Sequence, residues 1–441
     1  MVRASSGVYF ASTGNVVPFL DTAALGYSAT PTFQSGDGGF TPLMYWNNES
    51  FPQNYKKPPV IDPTFLNGQA INYIPRNGDR LPQTINWVLD IAREVAPNFS
   101  LDVMYIGNHS THLGLSGSAA ELNYVDKSHL SLGYDLIQPC AAVSSCTAPY
   151  TNFASQLGAS ATVAQALKPY PQYTHVGIDS VLLPEGKSRF NSLQVKATKR
   201  MAYGLSGLAF FTWEKNMTNA SGSGSSTYAS SYGSTIQYPG ERTVVIDPGT
   251  PAVIFGSSFS YQLPVGRGRS FMKHAPAVAD VVLGGWTISG SLRYTSGAAL
   301  QIDGFNFFAG NLGYSSLAPY AYANYLGGKA RGTWSGKFKP ETDKYLNPAA
   351  FAAPAAFTFG NTQQYNSWIR GFTHGSEALE LSKSIPIHER LKFDLSADFV
   401  NPFNITRWGD PATVAGVPTF GVVTSTQTNA RQIQINGALR F

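Results

Sequence analysis

The most regular feature of the chain is an alternation of apolar and polar residues with a period of two. It is cleanest in Leu391–Phe399, where every odd position is apolar and every even position is polar. Successive side chains of a β-strand point to opposite faces, so this period predicts strands with one apolar and one polar face. Three further alternating stretches lie at residues 85–91, 286–294 and 433–441.

Looser versions of the same pattern bring the total to nine or ten predicted strands, mostly 8 to 11 residues long. A tilted strand needs about 9 to 11 residues to cross a bilayer. In a soluble sandwich the apolar face would meet a second sheet, whereas in a membrane barrel it would meet lipid and the polar face would line the interior. The looser stretches are residues 101–106, 192–200, 205–213, 254–263 and 379–385.

The lengths of the connections favour the barrel. Short joints at residues 201–204 and 386–390 contrast with long ones at 113–190 and 297–377, and structureless connections of that size count against a compact soluble domain. The segment 216–234, rich in Gly, Ser, Asn and Thr, is predicted to be a mobile loop tip. The predicted fold class is all-β: an antiparallel transmembrane β-barrel, the C-terminal part of a large outer-membrane barrel, with long outer loops and short periplasmic turns.

Composition agrees with many short strands, and the distribution of charge argues against nucleic acid as a partner. Charged residues make up 13% of the 441 residues and aromatic residues another 13%, with 43 Gly and 28 Pro. The net charge is +5, but the basic residues are scattered and form no stripe that would bind nucleic acid. No apolar run approaches the roughly 18 to 20 residues of a spanning helix.

The end of the chain adds an independent indication. Phe441 follows Leu439 and Ile435 on the apolar face of the last predicted strand. This arrangement resembles the C-terminal signal by which bacterial outer-membrane barrels are inserted, so we expect the barrel-assembly machinery to recognise these three residues.

Several stretches, in their order and spacing, carry a broader family resemblance. They are Leu101–Asn108, Lys168–Tyr173, Phe190–Lys196, Gly204–Gly207, Phe211–Lys215, Leu263–Arg269, Gly284–Trp286, Leu346–Phe351, Asn401–Thr406 and Ala430–Gln434. Together they resemble the C-terminal half of the Oar-like TonB-dependent receptors of acidobacterial type, transporters that carry a carboxypeptidase-regulatory-like domain ahead of the plug and barrel.

The resemblance implies uptake of a solute across the bacterial cell outer membrane, powered by TonB and its motor complex acting on the plug. The expected surroundings are outer-membrane lipid and lipopolysaccharide, and the solute is unidentified, with an oligosaccharide or a peptide as candidates. The signal peptide, regulatory-like domain, TonB box and plug have no counterpart here, so residues 1–441 are expected to be the C-terminal part of the barrel. About ten strands cannot close a barrel of about 22.

No residue pattern indicates an enzyme, a cofactor or a metal site. There is neither a Gly-x-Ser-x-Gly elbow nor a spacing that would orient a nucleophile. His109 and His112 could offer two imidazoles to a metal, but the segment lacks a third ligand and is predicted to be a turn at a strand end. We therefore expect transport without catalysis.

Four tyrosines are candidate loop contacts to the solute: Tyr314, Tyr320, Tyr322 and Tyr325. Their neighbours are Gly, Ser and Asn, which argues against a strand core and leaves room for a surface that stacks on a sugar or a peptide. The alternative is that these rings pack a large loop against itself.

Two cysteines, Cys140 and Cys146, lie in a polar stretch with no interleaved His or acidic residue. A metal site is therefore not predicted. A local disulfide, formed in an oxidising compartment, and a pair of free thiols both remain open.

Two other function classes fit the same patterns. A passive porin or a surface adhesin would have the same wall without a plug. A secreted carbohydrate-binding β-sandwich would instead bury its apolar rows between two sheets and would stay soluble without detergent.

Overall fold

The computed structural model describes residues 1–11, 35, 37–42, 45, 64, 66–73, 76–78, 80–115, 121–178, 183–219, 243–305, 320–388 and 391–441. These residues form one large antiparallel sheet and several small ones. The strands are β1 (Val2–Phe10), β2 (Ala70–Tyr73), β3 (Gln83–Ala96), β4 (Phe99–Leu115), β5 (His175–Ile178), β6 (Leu183–Ala202), β7 (Leu205–Thr218), β8 (Val245–Ile246), β9 (Val253–Gln262), β10 (Trp286–Thr295), β11 (Ala299–Leu300), β12 (Asp303–Phe305), β13 (Tyr320–Tyr322), β14 (Asn324–Tyr325), β15 (Phe351–Ala352), β16 (Asn366–Arg370), β17 (His374–Pro386), β18 (Lys392–Val400), β19 (Val414–Ala415) and β20 (Gln432–Arg440).

The large sheet is an up-and-down meander. Its strand order is β1-β3-β4-β6-β7-β9-β10-β17-β18-β20, with β8 attached to β7, so consecutive long strands are neighbours. All nine stretches predicted from the alternation lie in this sheet, which confirms the predicted antiparallel fold. The structure differs from the prediction in two respects: β1 was missed, and five strands, β3, β4, β6, β7 and β17, are longer than expected at 13 to 20 residues. Among the described residues, β1 and β20 do not pair, so the sheet is open.

The register gives the sheet an apolar face and a polar face. Leu381 pairs with Ile288 on one side and Ala397 on the other, and Ala397 pairs with Ile435. The next residue along each strand belongs to the polar face, where Ser382 pairs with Thr287 and Ser396. The period of two therefore continues across strands as rows of like side chains.

The apolar face is not covered by a second sheet within the described chain. Many large side chains on it are exposed, such as Ile85 at 40% and Ile435 at 74%. The sandwich prediction required these rows to be buried against another sheet, so the sandwich alternative is wrong. An exposed apolar surface of this extent needs a membrane or a partner to cover it.

The connections alternate between the two ends of the sheet. At one end the joints are short: residues 97–98, 203–204 and 387–391. At the other end they are long: residues 11–82, 116–182, 219–252, 296–373 and 401–431. The connection from β9 to β10, residues 263–285, lies at the short end and contains a helix, α3 (Ala277–Leu283). Of the predicted mobile tip at 216–234, residues 220–234 lie outside the described residues.

The remaining described helices are short and lie in the long connections. They are α1 (Phe153–Leu157), α2 (Val163–Ala166) and the 3-10 turns Lys127–Ile137, Cys140–Ala142, Gly158–Ser160 and Pro348–Ala350. No helix in the described chain has the length and hydrophobicity needed to span a membrane.

The long outer loops that the sequence predicts contain buried cores, formed by the described residues of connections 116–182, 296–373 and 401–431. Connections 296–373 and 401–431 share a buried core that includes Phe351, Ile369 and Phe420. The described residues of connection 116–182 form one core of their own around Phe153. A second core is shared with Phe357 of connection 296–373, whose ring makes an edge contact with Tyr134. We call residues 121–178, 296–305, 320–373 and 401–431 the loop assembly. The alternation pattern cannot predict such cores, because their residues lie far apart in the chain.

Candidate functional site

Two charged residues occupy apolar-face positions of β17. Glu377 and Lys383 share a face with Leu379 and Leu381, since all are at odd positions of an unbroken strand. Their exposed fractions are only 2% and 7%. A charged side chain on the apolar face would be costly to place in hydrocarbon unless other parts of the protein cover it and supply partners. The two interruptions therefore mark places where a connection folds over the sheet.

Glu377 anchors the loop assembly to the wall of the sheet. Arg407, from the connection between β18 and β20, donates from Nη1 to Glu377 Oε2 at 3.1 Å and from Nη2 to Oε1. The same guanidinium stands 5.7 Å from the ring centre of Tyr294 in β10. The Arg407 backbone is held in turn by the Thr428 hydroxyl, 3.0 Å from its N–H. This two-pronged contact fixes the rim of the sheet against the loop assembly.

A cavity of about 360 Å³ lies where the loop assembly meets the wall. The wall supplies Tyr105, Trp213 and Glu214, and the assembly supplies Ser367 and Arg370. Tyr105 donates its hydroxyl proton to the Asn191 side chain at 2.8 Å, so this lining is partly fixed. The lining is mainly apolar, and Tyr105 and Trp213 belong to the row of the apolar face that includes Leu193.

Arg370 is held in place by the loop assembly. Its Nη1 donates to the Gly297 carbonyl at 3.0 Å, and its own carbonyl accepts the Tyr345 hydroxyl proton at 2.6 Å. Burial lowers the pKa of the Arg370 guanidinium and raises that of the Tyr345 phenol. Both shifts reflect the desolvation that a charged form suffers in this junction.

A second, more polar cleft of about 530 Å³ opens on the loop assembly itself. Its lining includes the basic residues Lys329, Arg331 and Lys344, and Asp343 as the acidic one. The Lys344 ammonium donates to the Pro418 carbonyl at 2.7 Å, and Arg331 lies 5.2 Å from the Tyr345 ring centre. The excess of positive charge favours solutes that carry carboxylate, sulfate or phosphate groups. Sequence reasoning missed this cleft because its residues follow no periodic pattern.

The structure describes the surroundings of two of the four candidate tyrosines, Tyr322 and Tyr325. Tyr314 lies outside the described residues, and Tyr320 begins β13. Tyr322 is only 4% exposed, so the structure places its ring inside the loop assembly rather than on a solute-facing surface. Tyr325 packs on Phe351 and Trp368, with ring centres 5.5 and 4.8 Å apart, and its hydroxyl donates to the Gly328 carbonyl. For Tyr322 and Tyr325 the alternative of loop packing describes the contacts.

The structure describes the C-terminal candidate residues and the two cysteines. Ile435 and Leu439 lie on β20, exposed by 74% and 59%, and Phe441 directly follows the strand and is fully exposed. Their role as an insertion signal stays a prediction. Cys140 and Cys146 form a disulfide, with Cys140 buried beside Phe153.

His109 and His112 both lie within β4, not in a turn at its end, which corrects that prediction. The alternation is interrupted there because His112 has a positive φ of 55° and the register to β6 shifts between Ser110 and Leu113. In the described part of the chain, no group of three His, Cys, Asp or Glu side chains could hold a metal ion.

Comparisons with known proteins give one family match and several structural likenesses of low identity. A family model described as an outer membrane beta barrel domain matches residues 1–434. No curated protein sequence matches significantly. Among solved structures, the Escherichia coli outer membrane transporter YddB is 9% identical over 85% of this chain and 34% of its own, with a TM-score of 0.39. The Neisseria meningitidis FrpB iron transporter is 11% identical over 84% of this chain and 33% of its own, with a TM-score of 0.30. The chain thus spans about a third of their length.

Proposed function

The chain belongs to the family of outer membrane beta barrel domains, and on that premise we propose that it forms wall and outer loops of a TonB-dependent transporter. Within this family the apolar face of the sheet contacts outer-membrane lipid and the polar face borders the interior. The short connections then face the periplasm, and the loop assembly faces the outside of the cell.

The observation that carries the proposal is the folded loop assembly with its basic cleft, joined to the wall by Glu377 and Arg407. A rigid, polar outer surface suits capture of a scarce, bulky solute before passage. The resemblance of stretches such as Leu263–Arg269 and Asn401–Thr406 to Oar-like receptors supports the TonB-dependent class.

We further propose that residues 1–441 are the C-terminal part of a larger barrel, with the plug and TonB box supplied by other parts of the protein. The ten strands of the meander are fewer than the roughly 22 of a plugged transporter barrel, which supports this division. Such a protein moves its solute with energy from the proton-motive force and catalyses no reaction.

The solute class follows from the cleft. Lys329, Arg331 and Lys344 face a space large enough for one or two sugar or amino-acid units. An acidic oligosaccharide or an acidic peptide matches both the charge and the size.

The test is uptake by cells that produce the protein, measured with fluorescent panels of acidic and neutral oligosaccharides and peptides. We expect accumulation of an acidic member that stops when a protonophore collapses the proton-motive force. Lys329→Glu should reduce this uptake at least severalfold, whereas Lys337→Glu, an exposed lysine outside the cleft, changes net charge equally and should not. Uptake that persists with the protonophore would make the protein a passive porin.

A further inference from the structure

The β9–β10 connection is unlike the other described joints at the periplasmic end. It runs from Leu263 to Gly285, whereas the β3–β4, β6–β7 and β17–β18 joints are two to five residues long. We call residues 263–285 the periplasmic insert. It contains α3 and a glycine turn in which Gly266 has a φ of +124° and packs against Asp280 and Gly284. A side chain at Gly266 would collide with both, so the insert has a defined fold.

The outward surface of α3 is entirely apolar. Val278, Val281 and Val282 are exposed by 78%, 49% and 60% and share one helical face, and the adjacent Leu283 is 51% exposed. Asp280, the charged residue of the helix, points the other way: its Oδ1 accepts a hydrogen bond from the Arg267 backbone at 2.7 Å. A surface helix in water would show polar side chains where α3 shows valines.

The carbonyls at the C-terminal end of α3 are satisfied by side chains. The buried ammonium of Lys383 donates to the carbonyls of Asp280, at 3.1 Å, Val281, at 2.6 Å, and Gly284. Trp286 Nε1 donates to the Val282 carbonyl at 3.0 Å. A helix end in water needs no such partners, because water binds these carbonyls. Where hydrocarbon excludes water, every backbone group must find a partner in the protein.

The insert is continuous with the lipid-facing wall and carries positive charge beside its apolar surface. Trp286 begins β10 on the same face as Ile288, so the exposed side of α3 adjoins the apolar rows of the sheet. Arg269 and Lys273 are exposed near Phe271, which is 63% exposed. Basic groups beside apolar ones suit the boundary between acyl chains and anionic phosphate groups.

We infer that the periplasmic insert is a membrane-surface element: α3 lies in the periplasmic leaflet of the outer membrane, and Arg269 and Lys273 contact anionic phospholipid headgroups. This binding surface rests on membership of the barrel family and not on TonB-dependent transport. A passive barrel with the same insert would bind the leaflet equally well.

Site-directed spin labelling tests the inference directly. The two cysteines of residues 1–441 are joined as a disulfide, so a substituted cysteine is the one free thiol of this part of the protein for a nitroxide. Val281→Cys reports on α3, Ile435→Cys is the lipid-facing reference, and His388→Cys is the reference for a joint at the same end of the barrel. Each variant is made in the whole protein and folded into vesicles of phosphatidylethanolamine and phosphatidylglycerol, and collision rates with oxygen and with a water-soluble nickel chelate are measured.

We expect the Val281 label to favour oxygen over the chelate severalfold, as the Ile435 label does, while the His388 label shows the reverse. A Val281 label with the same ratio as His388 would overturn the inference, because α3 would then face water. A label shielded from both reagents would also overturn it, since α3 would then be covered by protein. Val282→Cys replaces Val281→Cys if the latter does not fold, as judged by the heat-dependent shift in gel mobility.

Discussion

The guanidinium of Arg407 forms a two-pronged ion pair with the carboxylate of Glu377, which is 2% exposed on the apolar face of β17. An acid at this position would face hydrocarbon if the β18–β20 connection did not fold over it. The charged residue that interrupts the apolar face of the wall is therefore also the point at which the outer loops attach to the rim.

Removing Arg407 should loosen this attachment strongly. In Arg407→Met the Glu377 carboxylate stays buried without its partner, and breaking a buried pair in this way costs about 3 to 5 kcal/mol. We expect faster protease cleavage within residues 401–431 and a lower unfolding temperature by circular dichroism. Glu377→Met combined with Arg407→Met removes both charges and should recover most of the loss. A double variant as unstable as the single one would show that packing of Arg407, not charge, holds the loops.

The strands could be predicted from the sequence because the alternation is local: Leu391–Phe399 needs no distant partner to show its two faces. β1 was missed because Ser6 stands in its apolar row between Ala4 and Val8, which dilutes the signal. The loop assembly and the cleft could not be predicted, since Ile369 and Phe420 meet across more than fifty residues with no shared period. Alternation alone places Lys383 on the apolar face, because it lies between Leu381 and Ile385 in the predicted stretch 379–385. Glu377 lies outside that stretch, and the register places it on the same face.

The buried Lys168 should make the stability of the loop assembly depend on alkaline pH. Desolvation lowers the pKa of Lys168 to about 8, and the nearby Glu121 offsets this only partly. Below pH 8 the ammonium is charged in both folded and unfolded states, so the full cost of burying it is present. Between about pH 8 and the ordinary lysine value the folded state releases its proton first, so the free energy of unfolding rises with pH.

This expectation is checked by urea unfolding of wild type and Lys168→Met between pH 7 and 10, followed by tryptophan fluorescence. The difference in unfolding free energy should shift in favour of wild type by on the order of 2 to 3 kcal/mol across that window. Tyrosine titration is common to both proteins and cancels in the comparison. A difference that stays constant with pH would mean that Lys168 titrates normally.

The disulfide between Cys140 and Cys146 should stabilise the 121–178 part of the loop assembly without affecting the wall. It closes a loop with a sequence separation of six, for which the chain-entropy estimate is about 2 kcal/mol. Cys140→Ser with Cys146→Ser should therefore increase protease cleavage within residues 121–178 and leave the heat-dependent gel shift of the barrel unchanged. Loss of that gel shift would instead mean that the barrel needs the disulfide in order to fold.

The two faces of the sheet should respond oppositely to a charge at the same depth. Leu381 lies in the apolar row with Ile288 and Ala397, and its neighbour Ser382 lies in the polar row with Thr287 and Ser396. Leu381→Arg places a guanidinium in hydrocarbon, which costs about 2 to 4 kcal/mol near the bilayer midplane. Ser382→Arg adds the same group to the water-filled interior, where it keeps its hydration, so its cost should be close to zero.

Reversible urea unfolding in phosphocholine vesicles measures both variants against wild type. The pair is matched in backbone position, strand and charge, so a difference between them reports only which face meets lipid. Equal, small effects would mean that both faces contact water, and the lipid-facing assignment of the apolar rows would fail. A larger loss for Ser382→Arg would mean that the polar row is packed against protein, so that the interior bordered by Ser382 is filled at this level rather than open.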